Sequence, residues 1–485
     1  MNETLSARFQ AHAGVVAGSR ILSDGRPFDV EDPSTNSIVT SLTAAGPELV
    51  ASAVTDALQA FKQAWGATPL AQRGRTLHNI ARLLRERRSE LATIEAVDAG
   101  IPLSMGLMDV EVAARYFEFY AGIADKVGGA SIPLSGGLVD YTLREPWGVC
   151  GVIVPFNFPL QQISRSVAAA LATGNTVVLK SSERSPLTAT AIAELAVEAG
   201  LPPGAFNVVH GFAETGEALV MHEDVAHLTF TGSRGVGGRV MELCSRRVAP
   251  VCMELGGKSA QIVLSRAKLA VAAKTIAGTM FRSAGQACSA GSRVLVLPEL
   301  HDELRELLVD EAQNLRVGEA TAAGTEVGPL ISGEQRDRVL EYVARAEEDG
   351  AQVVTGGDPG SRLPRGNFVL PTVIDNVAPG AELSQTELFG PVLGISTITD
   401  MDEAIRIANS SQFGLVAGIW TDDVAEALAA ASQLEVGQVF VNNYGTGGGV
   451  EMPFGGRKGS GFGREKGLAA VDSYTQVKNV CIAVA

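Results

Sequence analysis

The chain has 485 residues, of which 46% are hydrophobic and 19% charged, with a formal net charge of -15. That length exceeds one ordinary core, so two or three globular domains are expected, and the composition excludes a disordered chain. The acidic balance argues against nucleic acid as a partner, because polyanion binding draws on a basic face.

The basic cluster "LLRERRSE" (83–90) reads as the solvated face of a helix. Five scattered cysteines (Cys150, Cys244, Cys252, Cys288 and Cys481) make neither a disulfide framework nor zinc spacing, and no metal site is expected. The N-terminus lacks a basic and apolar leader, and no apolar run is long enough to span a bilayer. A cytoplasmic protein with no membrane partner is the expectation.

Apolar residues recur at helical spacing around Leu49–Phe61 and Leu77–Leu84, and "VEVAARYFEFYAGIADKVGG" (110–129) predicts a further helix ended by glycines. Alternation in "GGLVDYTLREPWGV" (136–149) predicts strand, set apart as a hairpin. From Gly151 the segments "GVIVP", "TVVLK", "FNVVH", "AHLTF" and "PVCMEL" alternate with helical stretches, which predicts a parallel, doubly wound sheet. A second alternating series runs from "SAQIVL" to "GQVFVNN", followed by a glycine-dense segment (444–465) and a last strand-like stretch.

Ligands on such sheets bind outside the carboxyl ends of the strands. Asn157 in "VPFNFPL" either bonds a loop backbone or donates to a ligand oxygen. Lys180 and Glu183 in "VVLKSSERSP" either hold ribose hydroxyls or form an exposed ion pair. Gly232 and Ser233 in "FTGSRGVGG" open a helix whose N–H groups favour a diphosphate, although such turns also occur without a ligand. Glu254 in "MELGGKS" is a base if partly buried, or a turn cap. Cys288 in "GQACSAGSR" is flanked by small side chains, as suits either a nucleophile with substrate against it or a structural thiol in a crowded turn.

Seven ordered segments, "PFNFPL", "LKSSE", "FTGSRGVG", "ELGGKSA", "GQACSAGSR", "ELFGPV" and "PFGGRKGSGFGRE", resemble those of the aldehyde dehydrogenase superfamily across nearly the whole chain. The resemblance implies an α/β subunit. Its parts are a Rossmann-like NAD(P)-binding domain (1–125 and 147–255), a catalytic domain (256–455) and a small β oligomerisation arm (126–146 and 466–485). Dimers or tetramers are implied, with a small aldehyde as substrate and NAD, or NADP as the alternative, as cofactor. Cys288 resembles the nucleophile, Asn157 the oxyanion donor and Glu254 the general base. Glu387 and Phe389 resemble the residues at the nicotinamide end. Lys180 and Glu183 resemble the adenine-ribose pair, Gly232 and Ser233 the diphosphate contact, and Pro155, Phe156 and Leu255 further cofactor contacts. Glu465 matches a carboxylate that some members use to relay protons.

Glu254 favours the hydrolytic branch, since acylating relatives generally lack it. Phe156 stands where Trp is frequent, and Ser181 where Pro is frequent. The substrate tunnel would be lined by Phe158, Gln161, Gln162, Gly448 and Phe454. Gln161, Gln162 and the glycines 447–449 imply a roomier, more polar tunnel, suited to an aromatic or functionalised aldehyde. A thiol hydrolase would need a histidine paired with the cysteine, and none of the six histidines sits in a matching motif. A non-catalytic relative would be expected to lose the nucleophile or the base, and both are present.

Overall fold

The computed structural model describes residues 2–360, 363, 365–445 and 449–484. Two large sheets and a three-stranded one organise it, beside two small two-stranded sheets. The first has eight strands in the spatial order Ser19–Ile21, Gly14–Val16, Phe206–Val209, Thr176–Lys180, Val149–Ile153, Val225–Thr231, Val251–Glu254, Gly461–Phe462. Its five central strands run parallel. They match the five apolar segments read from the sequence. Every residue of Val149–Ile153 and of Thr176–Lys180 is buried, as expected for strands covered by helices on both faces.

The chain fills one side of Val149–Ile153 first and then returns to its other side with Val225–Thr231. Strand order therefore reverses between these two, which opens a crevice at their carboxyl ends. The segments leaving that point are Pro155–Phe158 and Gly232–Ser233.

The second sheet has seven strands, in the order Gln352–Thr355, Thr372–Asp375, Val392–Thr397, Arg293–Val296, Ala260–Val263, Val416–Trp420, Gln438–Val441. All pairs are parallel except the first. Its core includes Ile276, Phe281, Val294, Leu304, Val373 and Trp420. Burying each such side chain stabilises the fold by about 1.5–3 kcal/mol before chain entropy is counted.

The stretch expected as a hairpin behaves differently. Leu138–Pro146 pairs only briefly with Ser131–Ile132, and its long partner is the C-terminal strand Thr475–Ala483, antiparallel over nine positions. Glycines at 136 and 137 take positive φ and end the short pairing early. The helix read at 110–129 spans Leu103–Ile123 instead. Pro102 sets its start, and its buried face (Val110, Ala113, Phe117, Tyr120) carries it back beyond the periodic stretch. Among the described residues no single helix is long and apolar enough to cross a membrane. No group of three His, Cys, Asp or Glu among them is arranged to hold a metal.

Candidate active site

Cys288 lies between helix Leu269–Phe281 and strand Arg293–Val296. The helix ends in a sharp turn in which Ser283, Ala284 and Gly285 take φ of 53°, 52° and 69°. Two of these are not glycine, a strain of about 1–3 kcal/mol each that surrounding contacts must hold. Cys288 keeps partial exposure, whereas Cys150, Cys244 and Cys252 are buried. Beside it a cleft of about 250 Å³ is lined by Gly257, Ala287, Glu387 and Phe389, among others. A larger cleft of about 350 Å³, lined by Tyr342, Arg345 and Glu382, touches none of the residues read as functional. The cysteine loop therefore borders the smaller cleft through Ala287, and Cys288 itself stays partly open. Burial pushes its thiol up to about 12, the Arg165 guanidinium opposes this, and Glu387 and Glu254 add to it.

Asn157 follows the switch-point strand. Phe158, at φ 52°, turns the chain so that Pro159 opens helix Pro159–Ala172. The buried Asn157 carboxamide donates from Nδ2 to the Gln286 carbonyl at 2.8 Å, two residues before the cysteine. Gln286 is itself fixed: its Nε2 donates to the Ser283 carbonyl at 3.2 Å and its Oε1 accepts from the Ile331 N–H at 2.9 Å. A carboxamide has two N–H donors, and the loop uses one.

Glu254 closes strand Val251–Glu254 and is 2% exposed, with neither carboxyl oxygen in a hydrogen bond. Burial holds its carboxyl well above the usual range, opposed by Arg165 and reinforced by Glu465. Buried polar atoms of this kind are uncommon and mark sites where binding or chemistry completes the set. The next turn brings this strand end against two other elements. A Cβ on Gly257 would stand 2.4 Å from the Cys288 carbonyl oxygen, and one on Gly256 would stand 1.9 Å from Glu387 Oε2. Only glycine fits such approaches. Glu387 accepts from the Gly257 N–H at 3.0 Å, and burial raises its carboxyl to about 7.

Phe389 has φ 58°, and Gln335 Nε2 pins its turn by donating to the Leu388 and Phe389 carbonyls at 2.8 and 2.9 Å. The Phe389 ring meets Phe156 edge to face, 5.8 Å between centroids. At the neighbouring strand end Lys180 Nζ lies 3.3 Å from Glu183 Oε2, and burial lowers the ammonium. Ser233 caps helix Arg234–Ser245, its hydroxyl accepting from the Val236 N–H. Leu255 is buried, and its N–H donates to the Ser460 carbonyl at 3.0 Å.

Of the expected tunnel residues, Phe158 and Gln161 are half-buried while Gln162 and Phe454 are buried. Gln161 donates to Asp109 at 2.7 Å. Gly448 lies outside the described residues. Glu465 is 1% exposed and forms a buried ion pair with Arg165; it also accepts from the Ser166 hydroxyl at 2.6 Å.

Sequence reasoning missed Arg165, Lys466 and Tyr444. Arg165 Nη2 donates to Thr231 Oγ1 at 3.0 Å, and Thr231 pairs in register with Glu254. The Arg165 guanidinium and the Lys466 ammonium lie 5.4 and 5.0 Å from the Phe454 ring centroid. Tyr444 donates to the Ser289 carbonyl at 2.6 Å, bracing the cysteine loop from the far side. The signal for Arg165 was a lone guanidinium on the helix "PLQQISRSVAAALA", whose other residues are apolar or neutral.

The family model for the aldehyde dehydrogenase family matches residues 21–480. The 4-trimethylaminobutyraldehyde dehydrogenase of Sus scrofa is 39% identical over 455 residues, covering 93% of this chain and 92% of that protein. The NAD+ complex of an aldehyde dehydrogenase from Bacillus cereus superposes with a TM-score of 0.96 at 37% identity, covering 100% of this chain and 98% of that one. An indole-3-acetaldehyde dehydrogenase from P. syringae gives 0.95 at 35% identity, covering 100% and 99%. The chain belongs to the aldehyde dehydrogenase family, and its α/β fold is that of the family's solved structures.

Proposed function

We propose that the protein oxidises an aldehyde to a carboxylic acid with NAD as cofactor, through Cys288 as nucleophile, Asn157 as oxyanion donor and Glu254 as base. One observation carries this reading. Segments far apart in sequence converge around the cysteine loop: Asn157 through the Gln286 carbonyl, the end of the Glu254 strand through Gly257, and the loop carrying Glu387 through the Gly257 N–H.

The residues present fit the cofactor. Phe156 and Phe389 offer apolar faces beside the Glu387 carboxyl, the Ser233-capped helix offers N–H groups to a diphosphate, and the Lys180–Glu183 pair suits ribose hydroxyls. Pro155, Gly232 and Leu255 complete the walls. When bound, the nicotinamide ring supplies an acceptor for the substrate hydride. Glu183 favours NAD over NADP, since a 2′-phosphate would meet a like charge.

Cys288 acts first: its thiol proton passes to the Glu254 carboxylate, which releases it to solvent before the hydrolytic step, and the sulfur bonds the aldehyde carbon. The carbonyl oxygen becomes an oxyanion, which the second Asn157 N–H and the Cys288 N–H receive. After the hydride has left, an acyl group remains on the sulfur as a thioester. Glu254 then takes a proton from water, the hydroxide attacks the acyl carbon, and the carbon–sulfur bond breaks to release the acid. A carboxylate of raised pKa is the stronger base for this task. The Glu465 carboxyl, tied to Ser166 and Arg165, stands behind Glu254 as a relay for the proton.

The substrate we read as an aldehyde bearing a ring or a functional group. Gln161, Asp109, Arg165 and Lys466 give the surroundings of Phe158 and Phe454 a polar character. The three-stranded sheet exposes Val139, Leu143, Val477 and Ile482, which supports its role as an arm joining two or four copies. The separate eight-, seven- and three-stranded sheets support a division into cofactor, catalytic and arm units, with Gly461–Phe462 joining the first sheet from beyond the expected catalytic segment. The free cysteines suit a reducing cytoplasm.

The test is a panel of aldehydes with NAD and with NADP, followed by reduced-cofactor absorbance. Cys288→Ala is expected to abolish oxidation while still binding NAD; oxidation at the normal rate overturns the mechanism. Functionalised aldehydes are expected to give higher kcat/KM than acetaldehyde, and equal values overturn the substrate reading.

A further inference from the structure

Four buried side chains outside the chemistry form one continuous hydrogen-bonded line. His12 Nδ1 lies 3.0 Å from the Gln10 carbonyl oxygen, and His12 Nε2 lies 3.0 Å from Thr190 Oγ1. The same Thr190 oxygen lies 2.9 Å from His210 Nε2, and His210 Nδ1 lies 2.8 Å from Ser181 Oγ. All four side chains are at most 1% exposed. They come from four elements. His12 precedes strand Gly14–Val16, His210 directly follows strand Phe206–Val209 beside it, Thr190 lies on helix Leu187–Glu198, and Ser181 directly follows Lys180. The two imidazoles also meet edge to face, 5.3 Å between centroids.

Burial lowers both histidines, so each carries a single ring proton at neutral pH. The Gln10 carbonyl can only accept, so the His12 proton sits on Nδ1. His12 Nε2 must then accept, and the Thr190 hydroxyl donates to it rather than to the Pro186 carbonyl at 3.4 Å. The Thr190 oxygen is left to accept from His210 Nε2–H, so His210 Nδ1 accepts in turn and the Ser181 hydroxyl donates to it. One carbonyl thus fixes the direction of every bond. It also explains why a hydroxyl stands at position 181: proline or alanine there would leave a buried imidazole nitrogen unpaired.

We propose that the line from Ser181 through His210, Thr190 and His12 to the Gln10 carbonyl is a positioning device for the turn that carries Lys180 and Glu183, with His12 protonated on Nδ1 and His210 on Nε2. It ties the turn to the N-terminal segment through residues that are all buried. The proposal rests on reading Lys180 and Glu183 as the ribose-binding pair.

The test uses the full-length enzyme with NAD and the best aldehyde of the panel. Ser181→Ala and Thr190→Val are expected to raise the KM for NAD about fivefold, the effect of one lost buried hydrogen bond, with kcat within about twofold. Ser181→Thr, which keeps the hydroxyl, is expected to restore the wild-type KM. Nitrogen-15 NMR of the wild-type imidazoles is expected to show opposite tautomers for His12 and His210, a readout independent of any variant's folding. Matching tautomers overturn the proposal. So does an unchanged KM in Ser181→Ala and Thr190→Val when Lys180→Ala raises it. An unchanged KM in Lys180→Ala sinks the ribose reading itself, and the positioning role with it.

Discussion

Two adjacent glycines make the sharpest prediction, because the structure assigns them different victims. A methyl group on Gly256 would stand 1.9 Å from Glu387 Oε2, the end of a side chain, whereas one on Gly257 would stand 2.4 Å from the Cys288 carbonyl, part of the backbone. In Gly256→Ala the Glu387 carboxyl can swing away, retreating about 1.5 Å to reach ordinary contact. Its bond to the Gly257 N–H, 3.0 Å long, then breaks. A hydrogen bond to a charged group contributes about 1.5–3 kcal/mol. If Glu387 holds the nicotinamide ribose, its displacement costs a comparable amount of cofactor binding, roughly tenfold or more in the KM for NAD. In Gly257→Ala the obstacle cannot rotate aside. The cysteine loop must shift by about 1 Å, and a misplacement of that size costs on the order of a hundredfold in turnover. Steady-state kinetics with NAD varied at saturating aldehyde separates the two outcomes. Gly256→Ala is expected to act mainly on the KM for NAD and Gly257→Ala mainly on kcat. The same kinetic signature in both variants, or an unchanged KM in Gly256→Ala, refutes the assignment of Glu387 to the cofactor.

Four further outcomes are expected. Glu254→Gln should slowly reduce about one equivalent of NAD per active site and then stall, since water is no longer activated; rapid-quench mass spectrometry should find the acyl group on Cys288, and steady turnover counts against the role. In the wild type the hydrolytic step should accelerate as pH rises, because the base form of Glu254 appears only above its raised pKa; a rate that falls with pH contradicts this. Asn157→Ala should lower kcat on the order of a hundredfold, about 3 kcal/mol of oxyanion stabilisation. For Asp109, burial raises the carboxyl to about 7 from an ordinary value near 4. The unfolded chain releases this proton first, so the contribution to stability is full below pH 4 and is lost as pH rises toward 7. Asp109→Asn, which still accepts from Gln161, should therefore match the wild-type melting temperature near pH 4 and exceed it at pH 8.

The parts legible in the sequence were those that depend on local pattern. Short apolar runs between helical stretches gave the five parallel strands, because strands covered on both faces need uninterrupted apolar side chains. Gly, Asn, Glu and Cys in the loops raised candidates by their chemistry, each with a structural alternative, and the seven ordered segments resembling the family singled out Asn157, Glu254, Cys288 and Glu387. What pattern could not give was partnership at a distance. The strand Leu138–Pro146 looked like half of a hairpin, yet its long partner begins 329 residues later at Thr475. Arg165 looked like one polar residue on a helix, and only the fold brings it to Glu465 and Thr231. Ser181 stood out as a departure without a reason until His210 was found against it.

The charges around Cys288 follow a single logic. Burial disfavours the ionised forms of Cys288, Glu254 and Glu387, so the thiol and both carboxyls are held toward neutrality. The buried ion pair beside them, Arg165 with Glu465, is nearly neutral as a couple. Lys466 adds positive charge on the Phe454 side, with burial lowering its ammonium to about 8. The site is thus poor in negative charge at rest. In the proposed mechanism negative charge builds there as Glu387 and Glu254 release their protons, as the sulfur ionises and as the aldehyde oxygen becomes an oxyanion. Each of these forms in the field of Arg165 and Lys466 and beside oriented N–H donors that need no rearrangement. Fixed dipoles and cations that meet charge only as it develops lower the barrier without stabilising the resting state. On this reasoning Arg165 serves the reaction although it touches none of the reacting atoms, and the neutral isostere Arg165→Met should slow thioester formation and hydrolysis together while leaving the KM for NAD near its wild-type value.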